Sequence, residues 1–170
     1  MDATNIFAMF ARATNYAHEK HKEQEYDGHP YSFHIKEVLF LAIRYELNFS
    51  QILAAILHDT LEDTDATWSD LAEQFGETVA DLVDLVTDEP GRTRRERKFA
   101  NIKKLGGHPE AIAVKLCDRI ANIEYNMSSL NMGKLNMYLD EDYLFSTLDD
   151  GRNNRDLWRK YRSLIDVKRN

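Results

Sequence analysis

Apolar residues recur at intervals of three and four along most of the chain, which is the spacing of one face of an α-helix. The predicted helices cover residues 4–22, 32–46, 51–62, 67–76, 79–86, 109–125, 138–148 and 153–167. Ser50 is expected to cap the third helix, and Thr67 with Asp70 the fourth. No segment alternates with the period of a β-strand. The sequence therefore predicts an all-α fold, a single compact helical bundle over residues 1–170.

Composition agrees with a helical, globular chain. With 170 residues the chain has the length of about one domain, and only 7 glycines and 3 prolines are available to make turns. The 29 acidic and 22 basic side chains give a net charge of -7, which argues against a surface for nucleic acid or anionic lipid.

The expected location is the cytoplasm. No apolar run approaches the roughly 18 residues of a membrane span, and the N-terminal residues carry no basic leader. The single cysteine, Cys117, cannot form an internal disulfide, as is typical of a reducing compartment.

A basic segment lies between Gly91 and Lys104, where one acid stands among seven basic residues: Arg92, Arg94, Arg95, Arg97, Lys98, Lys103 and Lys104. Two interpretations stand side by side. The segment is either a solvated helix face beside a mobile loop or a surface that steers phosphate groups toward a site. Under the second, Arg97 is a candidate substrate-binding residue.

The pair His58-Asp59 interrupts the most apolar stretch of the chain, residues 52–57. An unpaired buried carboxylate costs several kcal/mol, so these side chains need partners. Helical spacing places Glu62 and Asp63 near them, at distances of three and four residues. Because the clustered acids repel one another without a cation, the stretch is a candidate metal site.

Two distant residues extend this candidate site. His34 stands at the head of the second predicted helix, and Asp118 interrupts the apolar run 114–120. With His58 and Asp59 they provide two imidazoles and two carboxylates, a set that suits Mn²⁺, Fe²⁺ or Zn²⁺ better than Ca²⁺. On spacing alone, a structural polar network explains the same residues equally well.

Six motifs together resemble a known family. They are His21-x-x-Gln24, Pro30-Tyr31-x-x-His34, His58-Asp59-Thr60-Leu61-Glu62-Asp63-Thr64, Phe75-Gly76, Val86-Thr87-Asp88 and Lys115-Leu116-Cys117-Asp118-Arg119-Ile120-Ala121-Asn122. The pair His58-Asp59 with a distant Asp118 resembles the HD superfamily of metal-dependent phosphohydrolases. The order and spacing of the six motifs resemble those of the RelA/SpoT-type hydrolase domain of this superfamily. They are most similar to those of the stand-alone small alarmone hydrolases, the Mesh1-like group.

The resemblance implies a Mn²⁺-dependent pyrophosphohydrolase that removes the 3′-diphosphate from guanosine tetra- or pentaphosphate. The positions that match the family's metal ligands are His34, His58, Asp59 and Asp118. Glu62 and Asp63 match the acidic pair that handles the attacking water. Asn122 and Tyr138 match positions near the nucleotide, although a helix-surface amide and a core aromatic remain equally open. The family's synthetase domain has no counterpart, so we expect degradation only.

The chain departs from the family where the nucleotide is held. Relatives commonly have glycine and a basic residue where Glu23, Glu25 and Tyr26 stand here. Two alternatives therefore stay open: an HD phosphatase acting on another nucleotide, such as NADPH or a deoxynucleotide, and a nucleotide-binding regulator without turnover. The expected partner is a small nucleotide, with neither nucleic acid nor membrane, and the sequence predicts no oligomeric state.

Overall fold

The computed structural model describes residues 2–169, with side chains up to residue 166. Its helices are α1 Ala3–Lys20, α2 Ser32–Arg44, α3 Phe49–Leu57, α4 Thr60–Asp63, α5 Trp68–Phe75, α6 Glu77–Val86, α7 Arg94–Leu105, α8 Pro109–Ser128, α9 Met132–Asp140, α10 Asp142–Phe145 and α11 Arg155–Arg169. A 3₁₀ turn covers Ser146–Leu148, and two short strands are β1 Glu25–Tyr26 and β2 His29–Pro30. The all-α prediction is confirmed.

A small hairpin corrects the expectation that no strand is present. Strands β1 and β2 pair antiparallel, with Tyr26 opposite His29. The two residues between them, Asp27 and Gly28, have φ values of 49° and 82°. A two-residue loop with positive φ at both positions follows the right-handed twist of paired strands. The hairpin places the Tyr26 ring against His34, with ring centroids 4.8 Å apart.

The helix predicted over residues 51–62 is broken at its most important point. Helix α3 ends at Leu57, and Asp59 has φ -100° and ψ 0°, outside the helical region. The Thr60 hydroxyl donates to the Leu57 carbonyl at 2.7 Å, which satisfies a group that a continuous helix would have bonded. The prediction of one continuous helix over residues 51–62 was therefore wrong. The break leaves the Asp59 backbone outside helix α3.

Capping explains where two of these helices begin. Asn48, and not Ser50, caps α3. Its side chain accepts a hydrogen bond from the Gln51 main-chain N–H, and the Gln51 side chain accepts one from the Asn48 main-chain N–H. The predicted pair Thr67 and Asp70 forms the same reciprocal capping box at the start of α5 and is confirmed. The helix predicted over 138–148 consists of the end of α9, the short α10 and the 3₁₀ turn.

Helix α8 forms the centre of the bundle. It packs against α2, α3, α6 and α11, and most of its side chains are buried. One hydrophobic core extends from Ala13 to Ile165 and includes Cys117. Within residues 2–169, no helix combines the length and the apolar character needed to cross a bilayer. Because α2, α3 and α8 pack together, polar residues at their junction are forced into contact.

Candidate metal centre and active site

Two imidazoles and two carboxylates meet at the junction of α2, α3 and α8. The His34 and His58 Nε2 atoms lie 3.3 Å apart. An Asp118 Oδ1 atom lies 3.2 Å from His34 Nε2 and 3.7 Å from His58 Nε2. Asp59 Oδ2 lies 2.9 Å from His58 Nε2 and 4.0 Å from His34 Nε2. Ligand atoms of His34, His58 and Asp59 all fit within 4.8 Å of one another, a separation that one metal ion can bridge.

Hydrogen bonding orients the His58 ring toward this cluster. His58 Nδ1 lies 3.0 Å from the Ala55 carbonyl oxygen, which can only accept, so Nδ1 carries the proton. Nε2 therefore faces the carboxylates and is the nitrogen that would bind a metal in place of its proton, as in a metal ligand whose other nitrogen is fixed by the protein. Burial opposes the charged form of His58, but Asp59 and Asp118 raise its pKa to about 9. The cluster thus attracts positive charge, and its donor set fits a divalent metal.

Each carboxylate is held by neighbouring side chains. The Tyr31 hydroxyl donates to Asp59 Oδ2. Lys115 Nζ lies 3.5 Å from Asp118 Oδ2, and Asn122 Nδ2 donates to Asp118 Oδ1 at 2.6 Å. Burial would raise the pKa of Asp118, but Lys115 and the two histidines hold it well below its usual value. Both aspartates are therefore charged and oriented.

The acidic pair Glu62 and Asp63 lies on α4 and lines a cavity together with Asp59 and Asp118. Glu62 Oε2 accepts from the Asp88 amide at 3.1 Å, and Asp63 Oδ2 accepts from Gln24 at 2.8 Å. Both side chains are open to solvent. The protein around Glu62 still removes it partly from water and so raises its carboxyl pKa, while Lys115 lowers it. A carboxylate with a raised pKa is a better proton acceptor.

The cavity beside the cluster measures about 180 Å³ and is lined by side chains of both charges. Asp59, Glu62, Asp63 and Asp118 provide carboxylates, and Arg94, Lys98 and Lys115 provide cations. Burial and the nearby Lys115 ammonium lower the pKa of Lys98, whose Nζ lies 2.7 Å from Asp88 Oδ2. A polyanion with a reactive phosphate would find cations for its charge here.

Arg97 lies elsewhere. Among the described residues, those that line the cavity include Arg94 and Lys98 from α7, but Arg97 is not one of them. Its guanidinium reaches back to the Gly91 carbonyl at 3.5 Å. One helix face of the basic segment therefore reaches the site, and Arg97 does not lie on it.

Asn122 and Tyr138 both line the cavity, but with different neighbours. The Asn122 amide contacts protein at both ends, because Oδ1 accepts from the Tyr26 hydroxyl at 2.8 Å while Nδ2 donates to Asp118. The Tyr138 ring centroid lies 5.2 Å from the Arg119 guanidinium carbon. Asn122 thus links Tyr26 in the cavity wall to Asp118 in the cluster of His34, His58, Asp59 and Asp118.

Sequence reasoning assigned no individual role to three residues that line the cavity: Tyr31, Lys115 and Arg119. Arg94 also lines it and belongs to the basic segment for which phosphate steering is one of the two interpretations. One signal for Lys115 was present, because this lysine interrupts the apolar stretch of α8 just as Asp118 does. Arg119 is a second buried cation on α8, and Glu141 accepts from it at 3.1 Å and from Arg94 at 2.5 Å. A charge inside an apolar helix requires a nearby partner.

Comparison with known proteins shows the family of the chain. The HD domain family matches residues 13–148, which contain the four clustered residues and the acidic pair. The chain belongs to the HD domain family. This HD domain is 36% identical to guanosine-3′,5′-bis(diphosphate) 3′-pyrophosphohydrolase MESH1 of Danio rerio, over 73% of this chain and 70% of that protein.

A second relative is longer. The HD domain is 39% identical to the guanosine-3′,5′-bis(diphosphate) 3′-pyrophosphohydrolase of Aquifex aeolicus, over 66% of this chain but only 17% of that protein. The fold is similar to the solved structure of a protein described as a metazoan ortholog of SpoT that hydrolyzes ppGpp. That match has a TM-score of 0.82 at 26% identity and covers 95% of this chain and 96% of the other.

Proposed function

We propose that this HD domain, acting as one unit over residues 1–170, is a Mn²⁺-dependent pyrophosphohydrolase. Its proposed substrates are guanosine tetra- and pentaphosphate, from which it removes the 3′-diphosphate. The observation that carries the proposal is the junction of a His-His-Asp cluster and an acidic pair with a cation-lined cavity. The names of its relatives in Danio rerio and Aquifex aeolicus support the choice of substrate.

His34, His58, Asp59 and Asp118 would hold the metal. Mixed imidazole and carboxylate ligands suit Mn²⁺, since Ca²⁺ prefers oxygen ligands alone. When bound, a divalent metal neutralises charge on phosphoryl oxygens and lowers the pKa of a coordinated water. The Ala55 carbonyl and the Tyr31 hydroxyl keep His58 and Asp59 oriented for this role.

Glu62 and Asp63 would serve the attacking water. Hydrolysis adds water across the bond between the ribose 3′ oxygen and the diphosphate: the water oxygen bonds to phosphorus, the bond to the 3′ oxygen breaks, and that oxygen gains a proton. Glu62 accepts the water proton, aided by its raised carboxyl pKa. Asp63 orients the same water from the neighbouring position on α4.

The cations of the cavity would hold the polyphosphate. Arg94, Lys98 and Lys115 offset the acidic field of a chain with net charge -7, which would otherwise repel an anion. Asn122 and Tyr138 lie beside them and would contact the nucleoside. Glu25 and Tyr26 stand where members of the resembled family commonly have a basic residue that helps to hold the nucleotide. Nucleotide specificity is therefore the part of the proposal that most needs a test.

A product analysis tests the proposal. Purified protein with Mn²⁺ is offered guanosine tetraphosphate, NADPH and deoxynucleotides, and products are separated by ion-exchange chromatography. We expect GDP and pyrophosphate from guanosine tetraphosphate, and no product from the Asp59→Asn variant. Turnover of NADPH or a deoxynucleotide, but not of guanosine tetraphosphate, would show that the proposed substrate is wrong. Binding of a nucleotide without any turnover would indicate a regulator.

A further inference from the structure

His21 and Gln24 follow the end of α1 and lie outside the metal cluster. Their side chains nevertheless connect to the acidic pair. Gln24 Nε2 donates to Asp63 Oδ2 at 2.8 Å, and Gln24 Oε1 lies 2.6 Å from His21 Nδ1. Gln24 therefore stands between a histidine and a carboxylate that the proposed reaction uses.

The chemistry of these groups fixes the direction of both hydrogen bonds. A charged carboxylate only accepts, so the Gln24 amide nitrogen must face Asp63. Gln24 Oε1 then faces His21 and can only accept, which places the proton of the imidazole on Nδ1. The Asp63 carboxylate and an Nδ1–H donor on His21 thus require the same orientation of the Gln24 amide.

Packing holds His21 in place. Its side chain is buried, and its ring stacks on Tyr31 with centroids 4.5 Å apart. Main-chain hydrogen bonds join the same residues. The Gln24 main-chain N–H donates to the His21 carbonyl at 2.9 Å, and the Tyr31 main-chain N–H donates to the Gln24 main-chain carbonyl at 3.1 Å. Tyr31 in turn donates to Asp59, so one connected set of side chains extends from Asp63 to the metal cluster.

We propose that Gln24 is a positioning residue, which holds one carboxylate oxygen of Asp63 and leaves the other for the attacking water. His21 sets the orientation of the Gln24 amide. This inference rests on the proposed function, because that function assigns Asp63 to the water. It explains why a glutamine that lies outside the metal cluster contacts the acidic pair.

Kinetics of Gln24→Leu test the proposal. We expect kcat to fall roughly tenfold, the usual effect of removing a partner that orients an active-site group. KM and bound Mn²⁺ should stay within about twofold, since substrate and metal contacts remain. In an Asp63→Asn background, Gln24→Leu should cause no further loss, because groups that serve one step are not additive.

Two further variants separate this role from general support of the fold. His21→Phe keeps a flat ring against Tyr31 but removes the Nδ1 donor, and we expect it to lower kcat like Gln24→Leu. Lys20→Met breaks the ion pair from Lys20 Nζ to Asp65 Oδ1, 2.6 Å long, which ties the same two chain segments together at the surface. Equal loss in Lys20→Met, or a further tenfold loss in the Asp63→Asn background, would overturn the proposal.

A spectroscopic measurement tests the contact independently of activity. In ¹⁵N-labelled, metal-free protein, the Gln24 side-chain amide signals should shift in Asp63→Ala and in His21→Phe and stay in place in Lys20→Met. Unshifted signals in Asp63→Ala would overturn the inference. If wild-type protein releases no pyrophosphate while the signals shift as expected, the proposed function fails and the hydrogen-bonded set stands.

Discussion

Single buried charges at the centre of the bundle are stabilised by one another. Lys115 on α8 is 9% exposed; its Nζ lies 3.5 Å from Asp118 Oδ2, and the Glu62 carboxylate also attracts it. Burial alone would lower the pKa of its ammonium, but these carboxylates hold that pKa above its ordinary value. Removing one member leaves its partner buried and unpaired, at a cost of about 3–5 kcal/mol. Substitutions that test chemistry should therefore preserve shape and partners.

Glu62→Gln separates chemistry from binding. The amide keeps the shape of the side chain and one oxygen that can accept from the Asp88 amide, but it cannot take a proton. We expect kcat to fall by roughly 10²–10⁴ while bound metal and nucleotide affinity survive. Metal content, affinity and single-turnover rate are measured on one preparation. Loss of metal would make Glu62 a ligand, and normal turnover would remove it from the reaction.

Tyr26→Phe tests how Asn122 is used. The phenyl ring can stay stacked on His34, but Asn122 Oδ1 loses its donor and becomes available to a nucleotide. One net hydrogen bond is worth about 1 kcal/mol, so KM for guanine nucleotides should fall about fivefold at unchanged metal content. Tyr125→Phe, on a neighbouring ring 4.9 Å from Tyr26, is the matched control. An unchanged or higher KM would show that Asn122 does not contact the base.

The residue types of the site were readable from the sequence, but their contacts were not. His58 and Asp59 stand out because charge inside an apolar run is costly, and Asp118 stands out for the same reason. The bond between Tyr26 and Asn122 joins residues 96 positions apart, and no local periodicity encodes such a pair. Tertiary packing alone brings them together.

At the scale of elements, turns and helix ends position the site. The break between α3 and α4 lets Asp59 contact Tyr31 while Glu62 and Asp63 stay on the next turn. Periodicity predicted one helix there because its apolar pattern continues through Leu61, whereas the side-chain bond from Thr60 to Leu57 ends it. Likewise, the Asp27-Gly28 pair is a hairpin signal, but its strands are too short to show alternation.

Two neighbouring arginines of helix α7 allow a test of the basic segment. Arg94 lines the cavity and bonds to Glu141, whereas Arg95 is exposed and lies outside the cavity among the described residues. Arg94→Met should lower kcat/KM roughly tenfold at low salt and less at high salt, because salt screens attraction of an anion. Arg95→Met removes the same charge from the same helix and should change little. Equal effects at both positions would indicate steering by net charge alone.

At the scale of the whole molecule, the cluster of His34, His58, Asp59 and Asp118 joins distant parts of the chain. His34, His58 and Asp118 come from α2, the end of α3 and α8, the elements that form the centre of the core. Anything that binds them together in the folded state alone also stabilises the fold. Periodicity predicted most of the helices and the core, but not helix α7, whose residues are mostly polar, nor the first residues of α9. The convergence of the cluster depends in addition on how three helices pack.

Chelation therefore should change stability as well as activity. A metal at 100 times its dissociation constant stabilises by about 2.7 kcal/mol, which corresponds to a Tm increase of roughly 5–10 °C for a chain of this size. EDTA should remove this increase in wild-type protein, and Asp118→Asn should show little increase to remove. Differential scanning calorimetry measures both. If neither added metal nor chelator changed the Tm of wild-type protein, a metal site shared by these helices would be contradicted.

The most direct test of the central claim is a titration of Mn²⁺ into metal-free protein, with pyrophosphate release from guanosine tetraphosphate as the signal. Release should begin with added metal, saturate near one ion per chain, and be absent in Asp59→Asn at any Mn²⁺ concentration that leaves the protein folded. Full release from wild-type protein in excess chelator, or full release by Asp59→Asn, would contradict a metal-dependent hydrolase built on His34, His58, Asp59 and Asp118.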